Sequence, residues 1–186
     1  MKKRLKRSRG GFTLIELMVV ISIIGLMSSI VMAALNSARV KSDNTSRNQV
    51  AEEYRKALGL VYDANGGVYP NTGNTTFYCL GDYGTLGSYT DTLVCGNNLG
   101  ASENAIVSNA VKAYLPSLPI GKTFKASGGN TIAGPLMGCV SSSCKSVYIR
   151  WFLEGAGQTC IRAATAVTLA GAGGGAGATR CDLTLN

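Results

Sequence analysis

The first pattern along the chain is a long apolar segment near its N-terminus. Residues 12–35 are apolar except at six positions, Thr13, Glu16, Ser22, Gly25, Ser28 and Ser29. As a helix this segment would extend about 36 Å, at about 1.5 Å per residue, which exceeds a hydrocarbon layer of about 30 Å. A secretory signal has a shorter apolar core, of roughly 7–15 residues. The pattern therefore predicts a transmembrane helix over residues 12–35.

A helical pattern of a different kind follows over residues 36–64. Apolar side chains recur there at intervals of three and four, which predicts an amphipathic continuation of the same helix; they include Val40, Val50, Ala51, Tyr54, Ala57, Leu58, Val61 and Tyr62. Charges four residues apart predict ion pairs on the wetter side: Arg39 with Asp43, Asp43 with Arg47, and Glu52 with Lys56. Asn65-Gly66-Gly67 predicts the helix end, since glycine is the usual left-handed stop.

Residues 65–186 change to a pattern typical of a small β-rich domain. Apolar and polar residues alternate over 146–154, which predicts a strand. Residues 158–162 are predicted as its partner, and 136–140 and 181–185 complete an antiparallel sheet of about four strands with one face on a helix. The chain is thus predicted to be α+β, with the long N-terminal helix packed on a small sheet.

Other parts of this domain are predicted as a short helix and as loops. Residues 102–115 favour a helix, with Ser102 as the N-cap and Glu103 in the first turn. Residues 71–103 are rich in Gly, Asn, Thr and Tyr and indicate a crosslinked loop region. The glycine run over 171–177 lacks the Lys-Ser/Thr of a phosphate-binding loop, so a flexible hairpin loop is the better interpretation.

The cysteines all lie in this C-terminal domain, at Cys79, Cys95, Cys139, Cys144, Cys160 and Cys181. An even number in a small, loop-rich domain indicates disulfides and an oxidising compartment. Sequence proximity favours pairing Cys139 with Cys144, Cys160 with Cys181 and Cys79 with Cys95, although six cysteines allow 15 full pairings. The chain has no histidine and no C-x-x-C pair, so no metal site is predicted.

The net charge of +8 is concentrated at the N-terminus. Residues 1–11 carry six basic side chains and no acidic one, whereas the rest of the chain has 12 basic and 10 acidic residues. The positive-inside rule therefore places the N-terminus in the cytoplasm and the domain that follows the apolar helix outside.

Glu16 does not fit a plain membrane anchor. A carboxylate within a spanning helix costs a few kcal/mol unless it is paired, although the helix dipole reduces this cost near the N-terminus. Cleavage between Gly11 and Phe12 would create an α-amino group one helical turn away. That cation could pair with Glu16 in its own chain or in an adjacent copy.

The segment Gly10-Gly11-Phe12-Thr13-Leu14-Ile15-Glu16-Leu17-Met18-Val19-Val20 resembles the class III signal of type IV prepilins and pseudopilins. The resemblance implies cleavage after Gly11 by a membrane-embedded aspartyl prepilin peptidase and N-methylation of Phe12. It also implies that Glu16 neutralises the N-terminus of a neighbouring subunit during assembly. Gly25 matches a family glycine where the helix can loosen, but Ala33 stands where many members carry a proline.

The resemblance implies a pilin-like fold divided into a basic leader (1–11), a transmembrane and filament-core helix (12–35), an amphipathic half-helix (36–64) and a disulfide-stapled head (65–186). It implies a structural subunit of a type IV pilus or related filament. The implied partners are copies of itself, the prepilin peptidase, the pilus assembly machinery of the bacterial inner membrane, and membrane lipid before assembly. The chain would begin as a single-pass precursor in that membrane and end in an extracellular filament.

Alternatives remain open at this point. A minor pilin or a type II secretion pseudopilin shares the same motif, and a membrane-anchored extracellular binding module that never polymerises is the rival from another class. The sequence shows neither an acid/base pair nor a G-x-S-x-G motif, so it does not predict an enzyme. No cofactor is predicted. Asp82 and Asp91 favour solvated turns over a calcium site. DNA binding is possible but unsupported, because the basic residues of the head are scattered, at Lys122, Lys125, Lys145, Arg150, Arg162 and Arg180.

Overall fold

The computed structural model describes residues 11–71, 75–81, 102–125, 131–132, 134–162, 164–169 and 177–186. The chain divides into two compact units, Met1–Val40 and Lys41–Asn186. The first unit contains the apolar segment, and the second contains the sheet and both described cores.

A single helix, α1 (Leu14–Ala64), includes both the apolar segment and the amphipathic segment. It is continuous through Gly25 and Ala33. Its end is the predicted glycine stop: the Gly67 amide donates to the Tyr62 carbonyl at 2.9 Å, and Gly66 and Gly67 have φ values of 68° and 85°. Both glycines therefore adopt the left-handed conformation that terminates helices. The predicted long helix is confirmed.

The second unit is built on a six-stranded sheet, formed by β1 (Phe77–Cys79), β2 (Ser102–Glu103), β5 (Leu136–Cys139), β6 (Val147–Glu154), β7 (Thr165–Leu169) and β8 (Ala178–Leu185). The strand order in the sheet is β2-β1-β5-β6-β8-β7. All neighbours are antiparallel except β1 and β2, which pair in parallel. A separate antiparallel pair is formed by β3 (Phe124–Lys125) and β4 (Thr131–Ile132). The α+β class with a small antiparallel sheet is confirmed, with more strands than predicted.

The predicted partner of β6 was wrong. Residues 158–162 form no strand; β6 pairs along its whole length with β8, from Val147 opposite Leu185 to Glu154 opposite Ala178. The chain leaves the sheet after β6 at Gly155 and Gly157, whose φ values are 95° and 67°. The backbone that follows bonds to side chains instead of a strand: the Gln158 amide donates to the Thr179 hydroxyl at 2.9 Å.

The short helix begins later than predicted. α2 spans Ala105–Lys112, and its N-cap is Asn104, whose side-chain oxygen accepts from the amides of Ile106 and Val107 at 2.9 and 3.4 Å. Ser102, the predicted cap, belongs to β2, because backbone pairing with β1 takes it out of the helix. Strand β1 likewise replaces part of the predicted loop over 71–103. Residues 82–101 and 170–176, which contain the rest of that loop and most of the glycine run, lie outside the described residues.

The main core lies between the amphipathic half of α1 and the sheet. Tyr54 and Leu58 of α1 are fully buried with Ile149 of β6, and Trp151 is almost fully buried. The predicted apolar face is confirmed, because Val50, Ala51, Tyr54, Ala57, Leu58 and Val61 are all buried. A second, smaller cluster contains Cys79, Phe124, Ile132, Leu136, Phe152 and Ala178.

Disulfides join Cys139 to Cys144 and Cys160 to Cys181, as predicted, with Cα–Cα distances of 4.9 and 5.8 Å. The first closes the turn between β5 and β6, and the second ties the segment after β6 to β8. Cys79 is also disulfide-bonded. Its predicted partner Cys95 lies outside the described residues.

Candidate functional site

The apolar helix begins with a reciprocal cap between Thr13 and Glu16. The backbone amide and the hydroxyl of Thr13 both donate to Glu16 Oε2 at 2.8 Å, and the Glu16 amide donates back to Thr13 Oγ1 at 3.3 Å. This is a capping box, in which the residue before the helix and the third helical residue satisfy each other's free backbone groups. Glu16 therefore has a role within its own chain that the sequence analysis missed. The signal was present, because Thr-x-x-Glu before an apolar run is the pattern of a capping box.

The predicted cleavage position immediately precedes this cap. Gly11 and Phe12 lie outside α1, and a Cβ placed on Gly11 would have no neighbour within 4 Å. Phe12 is 91% exposed. The bond between them is thus accessible and is not held in helical hydrogen bonding, which suits proteolysis. Processing here stays a prediction.

The apolar segment of α1 exposes its large side chains. Every large apolar residue from Phe12 to Leu35 is at least half exposed, including Leu14, Ile15, Ile24, Met27 and Ile30. By length and composition α1 can cross a membrane, and its most apolar window has no buried residue. This segment therefore presents an apolar surface without a partner in the described chain.

Polar side chains within this segment are satisfied inside the helix. The hydroxyls of Ser22 and Ser28 donate to the carbonyls of Met18 and Ile24 at 2.7 Å, and that of Ser29 donates to the Leu26 carbonyl at 2.8 Å. Such internal bonds remove the cost of placing a hydroxyl in apolar surroundings. Gly25 is helical and has open space around it. Its loosening in a polymer stays a prediction.

The amphipathic half of α1 docks at its beginning through three polar residues, Asn44, Arg47 and Asn48, which we call the polar clasp. The Asn44 side chain bonds to the amide and carbonyl of Glu154, and Asn48 Oδ1 accepts from the Trp151 indole at 2.8 Å. Arg47 is only 4% exposed. The amphipathic pattern predicted apolar contacts on this face, and the clasp was not predicted.

Arg47 is held from several directions. Its Nε donates to the Lys122 carbonyl at 2.7 Å, its NH2 nitrogen lies 3.6 Å from Glu154 Oε2, and its guanidinium carbon lies 4.5 Å from the centre of the Phe124 ring. Burial lowers the pKa of Arg47 from its usual value, and the negative charge of Glu154 opposes that shift. The side chain remains a cation whose hydrogen bonds replace water.

The ion pairs predicted along α1 form with other partners. Asp43 lies 3.6 Å from Lys122 Nζ, and Glu52 Oε1 lies 2.8 Å from Arg55 and 3.0 Å from Arg162. Hydrogen bonds from Arg55, and then from Arg162, hold the pKa of Glu52 at about 2, against an opposing effect of burial. Asp43 thus pairs with a distant residue, whereas Glu52 pairs both with Arg55, three residues along the same helix, and with the distant Arg162.

The basic residues of the head do not form one free patch. Arg150 and Arg180 both pair with Asp182, at 2.6 and 3.0 Å, and Arg150 also stacks on Phe77 with its guanidinium carbon 4.3 Å from the ring centre. Arg162 and Lys122 pair as described above. Lys145 is exposed, and the structure does not describe the side chain of Lys125. These neutralising pairs weaken the case for DNA binding.

No group of three or more histidine, cysteine or acidic side chains that could hold a metal ion occurs among the described residues. Asp82 and Asp91, the residues weighed for calcium, lie outside the part of the chain that the structure describes.

Residues 6–32 match the family model described as the prokaryotic N-terminal methylation motif. The match confirms the resemblance of this segment to the N-terminus of type IV pilins and pseudopilins. The motif indicates a structural protein, and together with the apolar helix it indicates a membrane-anchored, pilin-like precursor. No solved structure matches this chain.

Proposed function

We propose that this chain is a structural subunit of a type IV pilus or a related pilus-like filament, cleaved after Gly11 and polymerised through the apolar segment of α1. The observation that carries the proposal is the combination of an exposed apolar helix with one acid in its first turn, next to an accessible Gly-Phe bond. The match to the methylation motif over residues 6–32 supports the same conclusion.

Processing would change the electrostatics of the helix start. Hydrolysis after Gly11 removes the basic leader and creates an α-amino group on Phe12, and N-methylation leaves that amine cationic. The new charge lies one helical turn from Glu16, whose Oε2 is bonded to Thr13 in the structure. In apolar surroundings a cation and a carboxylate attract far more strongly than in water. The amine of one subunit and Glu16 of the next can therefore set the axial position of a newly added subunit.

Assembly would give the exposed apolar side chains protein neighbours in place of lipid. Lipid tails are as apolar as leucine, so the gain comes from close packing and not from leaving water. The contact joins one part of a subunit to a different part of the next. Such a head-to-tail contact propagates as a fibre when it does not close into a ring.

The remainder of the chain would lie outside the cell. Six basic residues before the apolar segment orient the N-terminus toward the cytoplasm. The disulfides of the second unit agree with an oxidising compartment.

The mass of the mature N-terminus tests the proposal. We expect the protein from membranes and from sheared filaments to begin at N-methylated Phe12. Retention of residues 1–11, or a start near Ala34, would contradict processing and favour an anchored module or a secreted domain. Absence of the processed chain from every sheared filament would contradict polymerisation.

A further inference from the structure

Residues 155–162 form a segment along α1 that we call the strap. The Thr159 carbonyl accepts from Asn48 Nδ2 at 3.3 Å, Gln158 Oε1 accepts from Asn44 Nδ2 at 3.2 Å, and Arg162 lies 3.0 Å from Glu52. The three α1 residues are spaced four apart, so they form one ridge on the helix surface. The strap thus follows the polar ridge Asn44–Asn48–Glu52 for about two turns of α1.

One covalent tie lies in the middle of these contacts. Cys160 directly follows Thr159, precedes Arg162 by two residues, and is bonded to Cys181 of β8. Cys181 is fully buried, whereas Cys160 is partly exposed. The strap also makes an apolar contact through Ile161, which is partly buried and packs against the main core. Hydrogen bonds also attach the strap, from the Gly155 amide to the Gly177 carbonyl and from the Gln158 amide to the Thr179 hydroxyl. Among the described residues, the disulfide is its one covalent attachment to the sheet.

The backbone of the strap is held in an unfavourable conformation at Arg162. Its φ is 52°, a left-handed value that a residue with a Cβ adopts at an energetic cost. Such conformations persist where the surroundings impose them. Arg162 also makes the ion pair with Glu52 and lies two residues after the disulfide.

The apolar docking of α1 is separate from the strap. Ala51, Tyr54 and Leu58 are buried in the main core with residues of the sheet, beside the polar ridge. The disulfide Cys139–Cys144 lies at the turn between β5 and β6. Loss of the strap would leave both in place.

We propose that the strap is a redox-sensitive latch: with Cys160 bonded to Cys181 it covers the polar ridge of α1, and reduction of that bond releases it while the apolar face of α1 stays docked. The reductant is a dithiol. One of its thiolates attacks Sγ of Cys160, the more exposed of the two residues, and Cys181 leaves as a thiolate that takes up a proton. The second thiol of the reductant then resolves the mixed disulfide. Two electrons and two protons pass to the protein, and the dithiol becomes a disulfide.

Hydrogen exchange of the full chain in detergent micelles, with and without the tie, tests the latch. The test variant is Cys160→Ser with Cys181→Ser, and the matched control is Cys139→Ser with Cys144→Ser. In the test variant we expect exchange of 155–162 to rise roughly tenfold or more. Residues 44–49 and 54–61 should stay unchanged, because Asn44 and Asn48 remain bonded to Glu154 and Trp151 of β6. The control should leave the strap protected.

Partial reduction of the wild type keeps the test independent of how the variants fold. With limiting dithiothreitol and a thiol-alkylating label, we expect Cys160 and Cys181 to be labelled before Cys139 and Cys144. Three results would overturn the latch: a strap that stays protected without its disulfide, exchange at 54–61 that rises in parallel, or Cys139 and Cys144 labelled first. None of these results depends on whether the chain polymerises.

Discussion

The side-chain amide of Asn44 pairs with the backbone of Glu154 as a neighbouring strand would. Its Nδ2 donates to the Glu154 carbonyl at 2.9 Å, and its Oδ1 accepts from the Glu154 amide at 2.8 Å. β5 pairs with β6 only as far as Arg150, so among the described residues no strand lies beside the end of β6 on that side. A helix side chain therefore satisfies backbone groups that would otherwise lose water without compensation. This contact fixes where α1 meets the sheet.

Asn44→Ala should destabilise the second unit by about 2–3 kcal/mol, because it leaves the amide and carbonyl of Glu154 unsatisfied and also removes the hydrogen bonds of Asn44 with Gln158 and Arg47. Urea denaturation of the full chain in micelles, followed by Trp151 fluorescence, measures the change. Thr45→Ala is the control, since its hydroxyl bonds only to the Lys41 carbonyl on the exposed side. It should cost less than about 0.5 kcal/mol. Equal losses of unfolding free energy in the two variants would show that the bonds of Asn44 to Glu154 do not stabilise the fold.

Glu52 stabilises the second unit at neutral pH, and we expect this contribution to be lost in acid. Its pKa is held at about 2 in the folded protein, below the usual 4.5, so its contribution is complete above the unfolded value and is lost as the pH falls from there toward 2. Glu52→Gln should cost about 0.5–1 kcal/mol at pH 7, in the range of partly exposed ion pairs, and almost nothing near pH 2. Urea midpoints across this pH range measure it.

The matched control for that experiment is Glu53→Gln. Glu53 is the exposed neighbour of Glu52 on α1. If its replacement changed the pH dependence as much as that of Glu52, the bonds with Arg55 and Arg162 would not be the cause.

Two substitutions at Glu16 separate its charge from its cap. Glutamine can still accept in a capping box, whereas alanine cannot. If the charge drives assembly, Glu16→Gln and Glu16→Ala should both insert into the membrane and both be lost from sheared filaments. Immunoblots of membrane and filament fractions measure this. Wild-type amounts of the glutamine variant in filaments would assign Glu16 to capping alone.

Two glycines should respond to alanine with opposite signs. A Cβ on Gly121 would lie 2.8 Å from the Gly134 carbonyl oxygen, so Gly121→Ala should cost about 1–3 kcal/mol, as overpacking does. Gly59 lies inside α1 with open space around it. Gly59→Ala should stabilise by up to about 1 kcal/mol, because alanine loses less backbone entropy in a helix. Thermal unfolding of both variants checks the pair, and a loss at Gly59 would contradict the packing described.

Local patterns predicted the features that depend on neighbours along the chain. The glycine stop after Ala64, the strand over Val147–Glu154 and the short disulfide Cys139–Cys144 all follow from residues a few positions apart. The Thr13–Glu16 cap belongs to the same class and could have been predicted from its spacing.

Features that depend on distant residues were predicted poorly. Residues 158–162 have strand-like composition, but β8 already occupies the edge of β6 where they would pair. The contacts of Asn44 and Asn48 were not predicted, because nothing near these residues in sequence shows that Glu154 and Trp151 offer them partners.

The sequence by itself determined the long helix, its apolar first part, its single acid and the glycine before the predicted cleavage, because these are matters of periodicity, length and residue type. Only the tertiary structure decided which partners the buried polar side chains take. A hydrogen bond or ion pair needs two groups within about 3 Å, and for Asn44, Arg47 and Glu52 most of those groups lie on residues that only folding brings near.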